Sequence, residues 1–387
     1  MPKPKKVVFY SNFLNDHQLP FCLAMKELLG DGFVFVATER SDGAGVSAGI
    51  TDLSKNIDFC LCSYESPENE KEALRLAAES DVVIFGSAPE AYFRESLKNA
   101  TGNKLVFRYS ERLFKPMYGR CIKRDVCFAI NAIRYRFKNY YLLSAGAYSA
   151  ADFHKLFMPK NKMFKWGYFP DVGGKSEKEL LKLKGGERPQ ILWASRMLDF
   201  KHPEYAVMLA DKLKRAGYDF FLKLIGSECE YDKVVALSKE LDVTDRVEFL
   251  GSVPRNRVIE EMEKSKIFLF TSNKNEGWGA VLSEAMASGC ACVSDRKIGA
   301  AQYLIEDGRN GFTYNDFDEL VTKTKVLLDD PEGTKKMGEA AKRTMDEEWN
   351  AENAARKLVG LCEAITERRP QDITKQGVCS RSEIIKD

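Results

Sequence analysis

Apolar residues along this chain gather in short unbroken runs separated by amphipathic stretches. KVVFY near the start, FVFVAT, DVVIFGS (81–87), NKLVFRY (103–109), NYYLLSAG (139–146) and KMFKWGYF (162–169) are rich in β-branched and aromatic residues. Such runs predict strands buried on both faces of a parallel sheet covered by helices, one of them from Leu19 to Leu29. The pattern breaks between Pro170 and Pro189, where PDVGGKSEKELLKLKGGERP holds two Gly-Gly pairs and mixed charge. That composition predicts an interdomain crossing with a short helical piece inside it. Alternation then restarts with QILWAS (190–195), FFLKLIG (220–226), VEFLG (247–251), KIFLFTS (266–272) and CACVSD (290–295). Helices are expected near 203–216, 231–241 and 255–264, and another in the stretch before CACVSD.

The expected architecture is therefore α/β: two Rossmann-like, doubly wound domains facing a cleft. The boundaries are 1–170 for the first domain, 171–188 for the linker and 189–346 for the second. A helix over 347–368 is expected to pack back on the first domain, followed by a flexible polar tail over 369–387.

Composition narrows the class. A chain of 387 residues fits two domains of ordinary size, and 44% hydrophobic with 30% charged residues is a globular balance. No apolar run approaches the roughly 20 residues that span a bilayer. MPKPKKVVFYSNF meets charge and Asn too soon for a signal peptide, so a first strand from Lys5 to Tyr10 is the better reading. The ten cysteines include no CxxC pair and there are only three histidines, which predicts reduced thiols in a cytoplasmic protein. Charge is uneven: between Lys104 and Lys138 ten Lys and Arg face only Glu111 and Asp125, with aromatics threaded among them. Segment 104–138 is thus a candidate for an anionic membrane surface, giving a peripheral location on the inner face of a membrane. No nucleic-acid partner is expected.

Candidate chemistry concentrates in NEGWGAVLSEAMASGCACVSD (275–295). Glu276 follows the strand KIFLFTS, and Gly277 and Gly279 let the backbone pass close to a ligand. A helix beginning near Ala280 presents N–H groups without internal partners, which suits an anion. Glu284 sits one turn further in. A nucleotide-sugar supplies what such a site needs, because its sugar and ribose hydroxyls can donate to the two carboxylates while its diphosphate meets the helix. On this reading the ligand itself satisfies both glutamates. Arg196 and Lys201, in SRMLDFKHPE after QILWAS, reach the same rim as cations for the diphosphate and for the charge that develops as it leaves.

The Glu276/Glu284 pair at E-x7-E spacing resembles the family-four retaining glycosyltransferases of GT-B fold. So do EAMASGCACVSD, Arg196 with Lys201, EDGRNGF (306–312) and WNAENAARKLV (349–359). The resemblance is specific over about 190–320. It implies that Glu276 contacts the transferred sugar, Glu284 the ribose, and Arg196 and Lys201 the diphosphate. Gly277, Trp278, Gly279 and Ala280 would then line the donor, with Val253 of LGSVP beside the base. A retaining, metal-independent hexosyltransferase follows, taking its sugar from a nucleotide diphosphate sugar (a UDP-sugar foremost) and delivering it to a sugar or lipid-linked acceptor hydroxyl. Polysaccharide or glycolipid synthesis is the expected setting, without cofactor or metal. A nucleotide-sugar epimerase and a noncatalytic sugar-nucleotide-binding partner remain as alternatives on the same frame.

The first domain departs from that pattern: SNFLNDHQLPF replaces the glycine-rich loop often found after the first strand. His17 of that loop is a candidate for orienting hydroxyls or assisting the leaving group. Glu111 and Ser87, each just past a strand, are acceptor-side candidates. GAGVSAG (43–49) has the wrong spacing for a dinucleotide fingerprint. Asp316-Phe317-Asp318 looks like a metal-binding DxD but stands where a helix should start, and capping explains it better.

Overall fold

The computed structural model describes residues 4–41, 52–98, 102–171, 174–186 and 188–385, so GAGVSAG lies outside the described residues. The chain divides into two units, Met1–Phe114 with Tyr118–Asp171 and Trp349–Asp387, and Lys115–Met117 with Val172–Glu348.

In the first unit the apolar runs become β1 (Val7–Ser11), β2 (Phe33–Ala37), β3 (Cys60–Cys62), β4 (Val82–Phe85), β5 (Leu105–Ser110), β6 (Tyr140–Ala145) and β7 (Met163–Trp166). They form one parallel sheet in the order β3-β2-β1-β4-β5-β6-β7. Every residue of β1, β4 and β6 is buried, as expected of strands covered on both faces. Local signals set the helices: Ser66 caps helix Pro67–Glu79 by accepting from the Asn69 N–H, with proline at the first position.

The helix Ala351–Thr366, capped by Asn350, belongs to this unit and packs along Leu19–Leu29. The residues after it correct the expectation of a flexible tail. Cys379 N–H donates to the Lys165 carbonyl (2.9 Å), Lys165 N–H to Ser380 (2.7 Å) and Ser382 N–H to Met163 (2.9 Å). Arg381 forms an antiparallel bridge with Phe164, and Val378 and Cys379 are buried. The cause is the edge of the sheet: β7 offers a row of backbone groups that need partners, and the tail supplies them. Its polar composition hid this, because backbone pairing demands no apolar side chains.

The second unit holds β8 (Gln190–Ala194), β9 (Phe221–Ile225), β10 (Val247–Gly251), β11 (Ile267–Phe270), β12 (Ala291–Asp295) and β13 (Gly311–Tyr314). They are parallel, in the order β10-β9-β8-β11-β12-β13. The helical piece of the expected linker, Glu177–Leu183, carries a reciprocal cap between Ser176 and Glu179 and sits in this unit. Asp316 accepts from the Glu319 N–H (2.9 Å) at the start of Phe317–Asp329, so the DxD-like triplet is a helix cap. All ten cysteines are free thiols.

Candidate donor site at the carboxyl ends of β8 and β11

The second sheet reverses direction between β8 and β11. From β8 the chain moves outward to β9 and β10; from β11 it moves the other way to β12 and β13. Loops leaving two such neighbours diverge and open a crevice at their carboxyl ends. β8 and β11 pair in register, Leu269 beside Trp193, so their following loops start at the same edge. Those loops carry Arg196 and Lys201 on one side and Glu276 on the other.

The two loops are tied to each other. Trp193 Nε1 donates to Thr271 Oγ1 (2.8 Å), whose hydroxyl donates to the Lys201 carbonyl (2.6 Å), and Asn273 N–H donates to the Phe200 carbonyl (2.9 Å). Asn273 also accepts from the Glu276 and Asn275 N–H groups through its carbonyl and side chain (3.0 and 2.9 Å). The result is that Lys201, only 9% exposed, forms an ion pair with Glu276. His202, the next residue, takes a left-handed conformation (φ +48°) before Pro203 opens the helix Pro203–Arg215. Its Nδ1 lies 2.8 Å from Glu204 Oε1, and that hydrogen bond raises the His202 pKa.

Glu284 is buried on the helix Ala280–Ala287, and Arg255 donates to its Oε1 from Nε (3.0 Å) and Nη2 (2.8 Å). The expectation that a ligand alone satisfies the two glutamates is therefore corrected. Each has a protein cation, Lys201 for Glu276 and Arg255 for Glu284, because a buried carboxylate without a partner is costly even in the ligand-free protein. Arg255 was missed in the sequence; its signal is its position at the start of the helix Arg255–Lys264, directly after LGSVP.

Gly279 caps Ala280–Ala287 with φ +90°, and a Cβ there would lie 2.6 Å from Phe270 Cε1. Trp278 is wholly buried, its Nε1 3.3 Å from Ser283 Oγ, so its ring serves the core. Gly277 is buried, Ala280 and Val253 half-buried and Arg196 exposed. A separate hollow of about 330 Å³, lined by Leu180, Lys184, Lys266, Gly289 and Gly338, lies by the amino ends of β11 and β12, the wrong edge for this site.

In the first unit the structure brings His17 and Glu111 together through a residue not singled out in the sequence. The His17 ring stacks on Tyr168 (centroids 5.7 Å apart, planes 8°), and the Tyr168 hydroxyl donates to Glu111 Oε1 (2.7 Å). Burial and the Glu111 charge push the Tyr168 pKa well up, so it stays a hydrogen-bond donor. Ser87 stands exposed in the turn after β4.

Asp295, ending β12, is buried and accepts from the Lys297 N–H (2.7 Å); burial lifts its pKa to about 6. The folded protein thus binds that proton more tightly than the unfolded chain. The resulting stabilisation is present below the unfolded value near pH 3.8 and is lost as pH rises through about 6. Asp295→Asn keeps the acceptor and removes the charge. It should be stabilised over the parent by roughly 2–3 kcal/mol at pH 7.5 and by little at pH 4, read by urea denaturation at both pH values.

Residues 176–344 match the family described as Glycosyl transferases group 1. An uncharacterized glycosyltransferase of Haemophilus influenzae is 30% identical over 183 residues, 46% of this chain and 50% of that protein. N-acetyl-alpha-D-glucosaminyl L-malate synthase of Bacillus anthracis is 34% identical over 149 residues, 38% of this chain and 37% of that protein. The chain thus spans half or less of the length of these curated relatives. Among solved structures, Anabaena HepE in complex with UDP superposes with a TM-score of 0.69 at 15% identity, covering 94% of this chain and all of that one. Sucrose-phosphate synthase of Thermosynechococcus elongatus gives 0.62 at 13% identity, again over 94% of this chain and all of that one. At such identities the likeness establishes the fold, two parallel-sheet Rossmann-like units of the GT-B class. The stretch matched by the glycosyl transferases group 1 family, residues 176–344, is the one that carries Lys201, Glu276 and Glu284.

Proposed function

We propose that this protein moves a hexose-type sugar from a nucleotide diphosphate sugar, a UDP-sugar foremost, to an acceptor hydroxyl with retention of configuration. The observation that carries this reading is the placement of the Lys201–Glu276 pair and Glu284 on either side of the Gly279 turn, at the strand edge where the sheet reverses. HepE, which shares the fold, was solved with UDP and with UDP-glucose.

The diphosphate would lie at the helix start after Gly279, against Lys201 and Arg196. Glu284 would accept from the ribose hydroxyls and Glu276 from the sugar. In the transfer the bond from the sugar's anomeric carbon to the diphosphate oxygen breaks, and the bond to the acceptor oxygen forms on the same face. The acceptor proton passes to the departing phosphate oxygen. Lys201 and Arg196 stabilise the charge that builds there, so these residues ask for no metal or cofactor. His17, Tyr168 and Glu111 are the proposed acceptor-side groups of the first unit. A lipid-linked or envelope-polysaccharide acceptor and a cytoplasmic, membrane-peripheral location belong to the same proposal.

The test is a thermal-shift series across UDP-, GDP- and ADP-sugars. A true donor at a hundred times its Kd stabilises the protein by about 2.7 kcal/mol. Glu284→Ala should weaken that donor by about tenfold or more, as expected for a lost charge-assisted hydrogen bond. An unchanged Kd would remove the ribose assignment. Accumulation of an epimer with no acceptor present would replace transfer by epimerisation.

A further inference from the structure

The helix Ile122–Arg134 packs Phe128, Ala129 and Ala132 against the core and carries a second apolar stripe on its outer face. Its inner face holds Asp125, 3% exposed, and Asn131, while Ile122 (73%), Val126, Ile130 (54%) and Ile133 stand in solvent. Their spacing of four, four and three residues places them in one stripe along the helix. The polar residues of the inner face are accounted for: Arg120 and Arg124 pair with Asp125 (3.1 and 3.0 Å), and Asn131 donates to Glu90 (3.4 Å). Nothing in the described residues covers the apolar outer stripe, and Phe137 (93%) and Tyr118 extend it at its two ends. A surface helix of a globular protein normally presents charged and polar residues on its outer face.

Charge says what covers it. Lys123, Arg134 and Arg136 are exposed beside the stripe, and the two acids of segment 104–138 are both engaged, Asp125 in its ion pairs and Glu111 with Tyr168. An apolar stripe rimmed by cations alone matches an anionic lipid surface, where the apolar side chains enter the acyl boundary and the cations stay at the headgroups. The surface is also narrower than the sequence suggested. Lys104 is buried against the Ala77 and Ala78 carbonyls, Arg108 pairs with Glu90 between Phe93 and Phe128, and Arg112 is buried over Tyr148. These three cations hold the core and cannot meet lipid.

We propose that the outward stripe Ile122–Val126–Ile130–Ile133, with Phe137, inserts in the plane of an anionic bilayer and that Lys123, Arg134 and Arg136 hold its headgroups. This adds a partner to the glycosyl-transfer reading and rests on a different surface.

Sedimentation of the full chain with vesicles of phosphatidylcholine and phosphatidylglycerol at about 7:3 tests it, against vesicles of phosphatidylcholine alone. Binding is expected on the mixed vesicles and should fall with salt. Ile130→Asp/Ile133→Asp should lower the partition by about tenfold or more, because two buried aliphatic side chains are lost. Lys123→Gln/Arg134→Gln/Arg136→Gln should bring binding on mixed vesicles down to that on neutral ones. A tryptophan placed by Phe137→Trp should shift its emission to the blue on mixed vesicles only. Unchanged binding of the Asp variant would overturn the proposal, as would no binding to anionic vesicles. A solution dimer that the Asp variant breaks, with vesicles inert, would assign the stripe to a second copy instead. The UDP-sugar thermal shift serves as the folding control for each variant. Its absence in every form, with vesicle binding intact, would count against the glycosyl-transfer reading alone.

Discussion

Lys201→Met is expected to lower kcat/KM by about a thousandfold, near the upper figure for removing one preorganised charge stabiliser from an active site. Lys201 is buried between the Phe200 and Phe270 rings (5.0 and 6.0 Å) and is held to Glu276, so its charge is fixed before any donor arrives. In such surroundings little water screens it, so on the proposed reading the negative charge of a leaving diphosphate would be felt more strongly than in water. The loss should therefore fall more on kcat than on donor affinity, because the interaction strengthens as the bond breaks. Methionine retains most of the volume but leaves Glu276 without its cation, which costs some stability as well. Arg196 is exposed, so Arg196→Met should cost only about ten- to a hundredfold. Steady-state rates with donor Kd measured separately decide the matter. A Lys201→Met variant within tenfold of the parent would place the diphosphate elsewhere.

The loops that carry Arg196 and Glu276 were legible in the sequence because their signals are local. The strand runs before Arg196 and Glu276 are unbroken apolar segments, and the glycines at 277 and 279 mark a turn whatever the fold around it. The cation partners were not legible. Arg255 reaches Glu284 across 29 positions of sequence, and only the packing of helix Arg255–Lys264 on Ala280–Ala287 brings them together. Lys201 was placed at the rim as a phosphate ligand, yet it also neutralises Glu276, a pairing fixed by the Thr271 and Asn273 bridges between loops. The family resemblance put Trp278 along the donor, whereas its large ring is wholly buried in the core. Charge counting over 104–138 similarly mixed buried cations with exposed ones. Net charge carries no information about which side chains a sheet covers, and the apolar stripe became visible only when the helix orientation was known.

Gly279→Ala should destabilise the second unit by about 2–5 kcal/mol, the sum of a left-handed backbone and an overpacked core. Its φ of +90° excludes an ordinary side chain, and a Cβ would meet Phe270 at 2.6 and 2.8 Å and Ile298 at 3.2 Å. Phe270 ends β11 and Ile298 is wholly buried, so neither can move aside cheaply. Relief has to come from the turn itself, which carries the start of Ala280–Ala287 and with it the N–H groups assigned to the diphosphate. Donor affinity should then fall along with stability. Gly217→Ala separates the two effects. Gly217 is also left-handed (φ +82°), but open space surrounds its missing Cβ and it precedes β9 at the opposite end of the strands. That variant should lose about 1 kcal/mol from backbone conformation and bind donor as the parent does. Urea denaturation and donor titration of both variants make the comparison. If Gly279→Ala lost no more stability than Gly217→Ala and bound the UDP-sugar normally, the close passage of this turn past Phe270 would have no part in shaping the donor site.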